Sequence, residues 1–166
     1  WKYGIAFSSG MASADSCMKL LRQGDHVVCC DDVYGGTARL FNNLMTNYGV
    51  EFTYVDSQVA ENVQEAIRPE TKMVWIETPT NPLLKVTDLE AVGKIARSND
   101  LLYVVDTTFA TPVFLRPLEY GADLVLHSTT KYLSGHNQII GGAIITDRED
   151  LYDQLKYIQK SVGAVP

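Results

Sequence analysis

The chain has 166 residues, of which 46% are hydrophobic and 20% charged, a balance typical of one globular domain with a sizeable core. It carries 14 lysines and arginines against 20 aspartates and glutamates, and the net charge of −6 argues against a nucleic-acid partner or an anionic membrane surface. No apolar run is long enough to cross a bilayer, and the three cysteines show neither metal-ligand nor disulfide spacing, which favours a reducing compartment and hence the cytoplasm.

Strands and helices are predicted to alternate along the chain. Apolar runs predict strands at residues 4–7, 26–30, 52–55, 72–76, 101–105, 124–126 and 142–146. Helical spacing predicts helices at residues 11–21, 38–48, 61–67, 88–98 and 148–160. This alternation predicts an α/β domain with a mostly parallel sheet and helices on both faces. Because such sheets bind ligands beyond the carboxyl ends of their strands, the polar residues that follow the strands are the candidate site residues.

The first of these turns, Ser8-Ser9-Gly10, precedes a predicted helix and indicates an anion site. The backbone amides of Gly10 and Met11 would be free at the helix start, and Gly10 lets a phosphate approach the backbone closely. Ser9 has the simpler role of capping the helix.

Tyr34 and Asn81 follow two further strands. Tyr34 precedes two glycines, and its ring is placed to stack on a flat ligand, although a surface-packed loop aromatic is the alternative. Residues 77–82, Glu-Thr-Pro-Thr-Asn-Pro, form a turn stiffened by two prolines that fixes Asn81 just beyond a strand, unless it is a turn and nothing more.

Asp106 ends an entirely apolar strand. A carboxylate in that position is costly to bury unless it is paired, so we expect a cationic or metal partner for it. Capping of the next turn is the structural alternative.

The strand at 124–126 ends in hydroxyls and an amine, with Ser128, Thr130 and Lys131 close together. Lys131 is suited to hold an aldehyde cofactor as a Schiff base, with Ser128 and Thr130 binding its phosphate. The Ser-x-x-Lys spacing also fits an acyltransferase, but that chemistry needs a helix starting at Ser128 and a later Lys-Thr-Gly strand, which the sequence lacks. A dehydrogenase is disfavoured because no Gly-x-Gly-x-x-Gly follows the first strand.

These parts together are the ones that pyridoxal 5'-phosphate (PLP) needs. Its phosphate binds amides and hydroxyls, its pyridine nitrogen pairs with a carboxylate, and its aldehyde reacts with a lysine. The sequence offers each of these groups after a predicted strand.

Three segments resemble the cystathionine γ-synthase and γ-lyase family of PLP enzymes of cysteine and methionine metabolism. They are Asp-Val-Tyr-Gly-Gly-Thr at 32–37, the turn at 77–82, and Ser-Thr-Thr-Lys-Tyr at 128–132 followed by Gly-His at 135–136. The resemblance covers essentially the whole chain. It implies the large PLP-binding domain of the aspartate aminotransferase-like (type I) fold, with residues 1–166 as its central part.

The resemblance also implies a role for each candidate residue. Lys131 would form the Schiff base and then move protons between Cα, Cβ and the C4′ carbon of the cofactor. Asp106 would pair with the pyridinium nitrogen, and Tyr34 would stack on the ring and assist proton transfer or the leaving group. The phosphate would be held by Gly10, Met11, Ser128 and Thr130. Asn81 would lie near the 3-hydroxyl of the ring.

The implied activity is trans-sulfuration, by γ-elimination or γ-replacement on cystathionine or an activated homoserine. Methionine γ-lyase and O-acetylhomoserine sulfhydrylase share the same motifs, and a cofactor-binding core without turnover is the non-enzymatic alternative. The implied partners are a small sulfur-containing amino acid and further copies of the protein, in a tetramer of close dimers.

Several features depart from the family pattern. The family usually has asparagine where this chain has Thr107, and a carboxylate near the position of Asn137-Gln138. The chain opens without methionine, inside a predicted strand, so we expect it to be a piece of a longer protein. The family's N-terminal arm and C-terminal domain, which complete the phosphate and substrate-carboxylate sites, are expected to lie outside this sequence.

Overall fold

A computed structural model describes all residues from Trp1 to Pro166. Seven strands form a single sheet: β1 (Tyr3–Phe7), β2 (His26–Cys30), β3 (Glu51–Val55), β4 (Thr71–Glu77), β5 (Leu102–Asp106), β6 (Leu124–His127) and β7 (Gly142–Thr146). Their order across the sheet is β1-β7-β6-β5-β4-β2-β3. Every residue of β2 is buried, and all but His26 are valine or cysteine, as expected for a parallel strand covered on both faces.

The sheet is mostly parallel, as predicted. Strands β3, β2, β4, β5 and β6 pair in parallel, and only β7 runs antiparallel to its neighbours β6 and β1. Residues 128–141, between β6 and β7, contain turns but no helix. Parallel neighbours need a crossover helix, whereas an antiparallel strand can return through a loop, so β7 reverses direction here.

The chain forms six α-helices: α1 (Gly10–Met18), α2 (Gly35–Arg39), α3 (Ala60–Glu65), α4 (Leu89–Ser98), α5 (Thr111–Phe114) and α6 (Glu149–Val162). Helices α1 and α6 pack on each other and on β1 and β7, while α3 packs on α4, which lies against β5. None of these helices combines the length and the apolar character that crossing a membrane requires.

The second predicted helix differs from the expectation of a regular α-helix over 38–48. It begins at Gly35, passes through a π-helical segment (Leu40–Leu44) and ends in a 3₁₀ turn (Met45–Tyr48). Gly49 ends it in a left-handed conformation, with φ at 78°. The changed winding keeps Leu40 and Phe41 buried against the sheet.

One helix end and two short elements also differ from the prediction. Helix α1 ends at Met18 and not at residue 21, because the amides of Leu20 and Leu21 turn back to the carbonyls of Cys17 and Met18. Helix α5 and the 3₁₀ turn Pro117–Tyr120 were not predicted, since each is only four residues long.

Candidate active site

The carboxyl ends of β4, β5 and β6 and the start of α1 enclose a cavity of about 490 Å³. Its size lies within the range of small-molecule sites in proteins. Every candidate residue from the sequence lines it: Gly10, Met11, Tyr34, Asn81, Asp106, Ser128, Thr130 and Lys131. The structure therefore brings together residues that are up to 121 positions apart in the chain.

The start of α1 forms one wall of the cavity. The hydroxyl of Ser9 accepts a hydrogen bond from the amide of Ala12 at 3.0 Å, which confirms the prediction that Ser9 caps this helix. The amides of Gly10 and Met11, in the first turn, have no acceptor within the helix and face the cavity side of the fold. A helix start of this kind favours an anion through its free amides and its dipole.

Gly10 is in direct contact with the end of β6. A Cβ atom built on Gly10 would lie 2.8 Å from Cβ of Ser128 and 3.1 Å from its Oγ. A glycine is therefore required at position 10, because the start of α1 lies against Ser128. This close contact places the helix amides next to the Ser128 hydroxyl.

We expect Gly10→Ala to lower the free energy of unfolding by about 1–3 kcal/mol, because the added methyl group overpacks the contact with Ser128. Urea unfolding followed by circular dichroism measures this loss. Gly4→Ala is the matched control, since nothing lies within 4 Å of the added atom, and its effect should stay within about 0.5 kcal/mol. Equal effects of the two substitutions would contradict the prediction.

Asp106 is buried, with only 8% of its surface exposed. Its Oδ1 accepts two hydrogen bonds from Thr108, at 2.9 Å from the amide and 2.7 Å from the hydroxyl, while Oδ2 accepts none. Burial raises the pKa of Asp106 to about 6, although the bonds from Thr108 oppose this.

The expected cationic or metal partner of Asp106 is not found within the chain. No salt bridge reaches Asp106, and no group of three His, Cys, Asp or Glu side chains is arranged to hold a metal ion. Within the chain, the hydrogen-bond donors to Asp106 come from the turn that follows β5. The contacts of Asp106 are therefore those of the capping alternative.

Thr108 was missed by the sequence analysis. Besides donating to Asp106, its hydroxyl accepts the amide of Ser128 at 2.9 Å and so links the ends of β5 and β6. A hydroxyl two residues after a buried carboxylate is the local signal of such a turn.

Tyr34 lies at the mouth of the cavity with 44% of its surface exposed. Its ring packs over Gly36, where a Cβ atom would lie 3.0 Å from Cδ1 of the ring and 2.9 Å from the sulfur of Met11. The loop glycine thus leaves room for the aromatic ring.

The turn that carries Asn81 is tied to the loop after β2. Asp32 accepts the amide of Leu83 at 2.9 Å and also the hydroxyl of Thr80. Lys85 pairs with Asp31 at 2.8 Å. Both loops at this side of the cavity are therefore held as one unit.

Thr130 and Lys131 lie on the turn after β6. The Thr130 hydroxyl donates to the carbonyl of Gly141 at 3.2 Å and accepts its amide at 3.0 Å, so it is already engaged within the chain. Lys131 forms no salt bridge, and its backbone amide donates to Ser128 at 3.3 Å. The absence of a helix at 128–134 removes the structural basis of the acyltransferase alternative.

A larger groove of about 730 Å³ lies at the opposite, amino-terminal ends of the strands. In it Arg148 pairs with Asp123 at 3.0 Å and with Asp150 at 2.7 Å. We place the site at the smaller cavity because it lies at the carboxyl ends of the strands and is lined by every candidate residue.

His127 lies outside the site cavity. It lines a separate apolar cavity of about 170 Å³, and its Nδ1 has no hydrogen-bond partner. Burial lowers the pKa of His127 from 6.5 to about 4, because the charged ring is poorly solvated.

We expect this histidine to make the fold acid-sensitive. Because the pKa of His127 is lower in the folded state, the unfolded state is protonated first as the pH falls below 6.5. The free energy of unfolding is therefore unaffected by this group above pH 6.5 and decreases as the pH falls towards 4. His127→Gln should reduce the loss of stability over this range by about 3 kcal/mol, measured by urea unfolding at both ends. His136→Gln, at an exposed position, is the control and should follow the parent protein. An unchanged pH profile in His127→Gln would contradict the prediction.

Comparison with known proteins agrees with the geometry. A sequence profile of the family described as "Cys/Met metabolism PLP-dependent enzyme" matches residues 2–166. The chain is 51% identical over 162 residues to the cystathionine gamma-lyase of Bacillus subtilis strain 168, covering 98% of this chain and 43% of the relative. It is 48% identical over 165 residues to a probable cystathionine gamma-synthase of Herpetosiphon aurantiacus, covering 99% of this chain and 52% of the relative.

The crystal structure of metB from Corynebacterium glutamicum superposes with a TM-score of 0.98 at 48% identity, over 99% of this chain and 43% of that chain. This similarity confirms the predicted type I fold. The chain spans about half the length of the curated relatives it matches. With the profile match over nearly its whole length, the chain belongs to the family of Cys/Met metabolism PLP-dependent enzymes.

Proposed function

We propose that residues 1–166 are the central part of the PLP-binding large domain of a trans-sulfuration enzyme. The reaction is γ-elimination or γ-replacement on cystathionine or an activated homoserine. The observation that carries this proposal is the convergence of an amine, a buried carboxylate and a helix start in one cavity. The names of the relatives, cystathionine gamma-lyase and cystathionine gamma-synthase, support the substrate class.

The residues of the cavity fit PLP. Oδ2 of Asp106 is free to accept a hydrogen bond from a protonated ring nitrogen, and no cation of the chain competes for it. Lys131 is the only lysine that lines the cavity and forms no salt bridge. The contact of Gly10 with Ser128 places helix amides and a hydroxyl together, which is the donor set that a phosphate requires.

When bound, PLP supplies an aldehyde that captures an amine and a pyridinium ring that withdraws electrons from the substrate's Cα. In our proposal, Nζ of Lys131 holds the aldehyde and also serves as the base that moves protons at Cα and Cβ of the substrate. Asp106 keeps the ring nitrogen protonated, and Tyr34 covers the ring at the cavity mouth.

The phosphate is bound in this proposal by the amides of Gly10 and Met11 and by the hydroxyls of Ser128 and Thr130. Thr130 must exchange its bond to Gly141 for one to the phosphate. Asn81 lies on the turn that Asp32 binds through the amide of Leu83, and its side chain would contact the 3-hydroxyl of the ring.

We also propose that the protein acts as a homo-oligomer, as a tetramer of close dimers. Large apolar side chains are exposed on α5 and on the loop after β6, with Val113 82%, Phe114 86% and Ile140 74% exposed. Such exposure is typical of surfaces that a partner covers. We place the protein in the cytoplasm, because Cys17, Cys29 and Cys30 are buried free thiols.

Borohydride trapping tests the function. Purified protein is titrated with PLP, followed by visible absorbance, reduced with borohydride and mapped by mass spectrometry. We expect a visible band and a single label on the peptide that contains Lys131. Before reduction, addition of cystathionine to the PLP-loaded protein should change the band and release a keto acid. A protein that retains no label, or spreads it over several lysines, would overturn the proposal.

A further inference from the structure

We infer that Glu77 is a positioning residue of this site, whose side chain holds the backbone of Tyr34 in place at the cavity mouth. The inference rests on the proposed function, since Tyr34 is there proposed to cover the cofactor ring. Glu77 ends β4, is 6% exposed and lines the cavity.

The contact between Glu77 and Tyr34 joins two strand ends. Oε2 of Glu77 accepts the backbone amide of Tyr34 at 2.9 Å, across 43 positions of the sequence. The amide of Glu77 itself donates to the sulfur of Cys30, at the end of β2, at 3.1 Å. Glu77 is thus fixed at its backbone by β2 while its side chain holds the loop that follows β2.

This contact sets the direction of the Tyr34 ring. Tyr34 is the residue immediately before α2, and no side chain caps that helix. Its ring and the sulfur of Met11 both lie close to Gly36, where an added methyl group would collide with them. If the hydrogen bond to Glu77 is lost, the backbone of Tyr34 can rotate. The ring would then move away from the cavity mouth.

The same carboxyl group acts on the turn that carries Asn81. The backbone amide of Asn81 lies near the Glu77 carboxyl group and, like that of Tyr34, acts to lower its pKa. Asp32 binds the far end of this turn through the amide of Leu83. Glu77 therefore lies beside both of the loops that border the cavity on this side.

Glu77 serves this role without a negative charge. It lies directly opposite Asp106 in the register of β4 and β5, and Asp32 and the Cys30 thiol are also near. Burial, and then the charge of Asp106, raise the pKa of Glu77 to about 8. A neutral carboxyl group still accepts an amide through its carbonyl oxygen, so glutamine can replace it.

The test compares Glu77→Gln, which keeps an acceptor, with Glu77→Met, which has a similar volume and none. Hydrogen–deuterium exchange of the Tyr34 amide is measured without cofactor. We expect it to rise by about 10-fold or more in Glu77→Met and to stay within about 3-fold of the parent in Glu77→Gln. Asp123→Ala is the control, because it removes a comparable bond, to the amide of Tyr103 at 2.8 Å, at the opposite end of the sheet. It should leave exchange at Tyr34 unchanged.

The dissociation constant of PLP is then measured for the same proteins. We expect it to rise by about 10-fold in Glu77→Met and to remain near the parent value in Glu77→Gln. Unchanged exchange at Tyr34 in Glu77→Met, or equal damage by both substitutions, would overturn the inference. The parent protein could also fail to bind PLP while the exchange rate of its Tyr34 amide still depends on Glu77. That result would overturn the proposed function and leave the contact between Glu77 and Tyr34 established.

Discussion

Lys131→Ala is expected to abolish covalent retention of PLP. Lys131 is the only lysine among the residues that line the cavity, so no other amine is placed to react with the aldehyde. Borohydride reduction followed by mass spectrometry should find no label in this variant, whereas the parent carries one label per chain. Turnover of cystathionine should fall by about 10³-fold or more, because the same amine is the proposed base.

The variant should still bind PLP without a covalent bond. The amides at the start of α1 and the Asp106 carboxylate remain in place, so phosphate and ring nitrogen keep their partners. Lys160→Ala, at an exposed position on α6, is the control and should be labelled like the parent. Retention of a full label in Lys131→Ala would contradict both the assignment of Lys131 and the proposed chemistry.

The strands were predictable because their signal is local. Strand β2 was predicted at 26–30 and is found there, since the four consecutive valines and cysteines at 27–30 must be buried on both faces. The winding of residues 35–48 was not predictable, because the change from α- to π- and 3₁₀-helix depends on how Leu40 and Phe41 meet the sheet. Tertiary packing decides such details.

The candidate site was predictable to the extent that it depends on strand ends. Residues after parallel strands meet at one edge of a sheet, and all of the candidates do line one cavity. What the sequence does not contain is the register between strands. The pairing of Glu77 with Asp106, and the bond of Thr108 to Ser128, follow from register and side-chain direction.

Asp106 illustrates the same limit. Sequence reasoning correctly identified a buried carboxylate that needs a partner, and it offered a cation or metal, or capping of the next turn. The chain supplies Thr108 to one oxygen and leaves the other open to the cavity. An open acceptor in a buried position is a feature of a binding site, and only the fold reveals which oxygen is open.

Trp75→Ala is expected to lower the free energy of unfolding by about 3–5 kcal/mol. Trp75 is on β4, has no exposed surface, and meets the ring of Phe41 edge-on with ring centroids 5.2 Å apart. Phe41 in turn stacks on Phe52 at 4.7 Å. Removing the indole opens a large cavity at the centre of this cluster, and the neighbouring strands are too constrained by the sheet to close it.

Trp75→Phe should lower the free energy of unfolding by only about 1–2 kcal/mol. Nε1 of Trp75 is buried without a hydrogen-bond partner, so phenylalanine removes an unsatisfied donor while keeping most of the apolar volume. Trp1→Ala is the control, because Trp1 is 56% exposed and should contribute within about 0.5 kcal/mol. Guanidinium unfolding followed by far-ultraviolet circular dichroism measures all three. If Trp75→Phe were as damaging as Trp75→Ala, the stability would depend on the indole N–H and not on the filled volume, contrary to this argument.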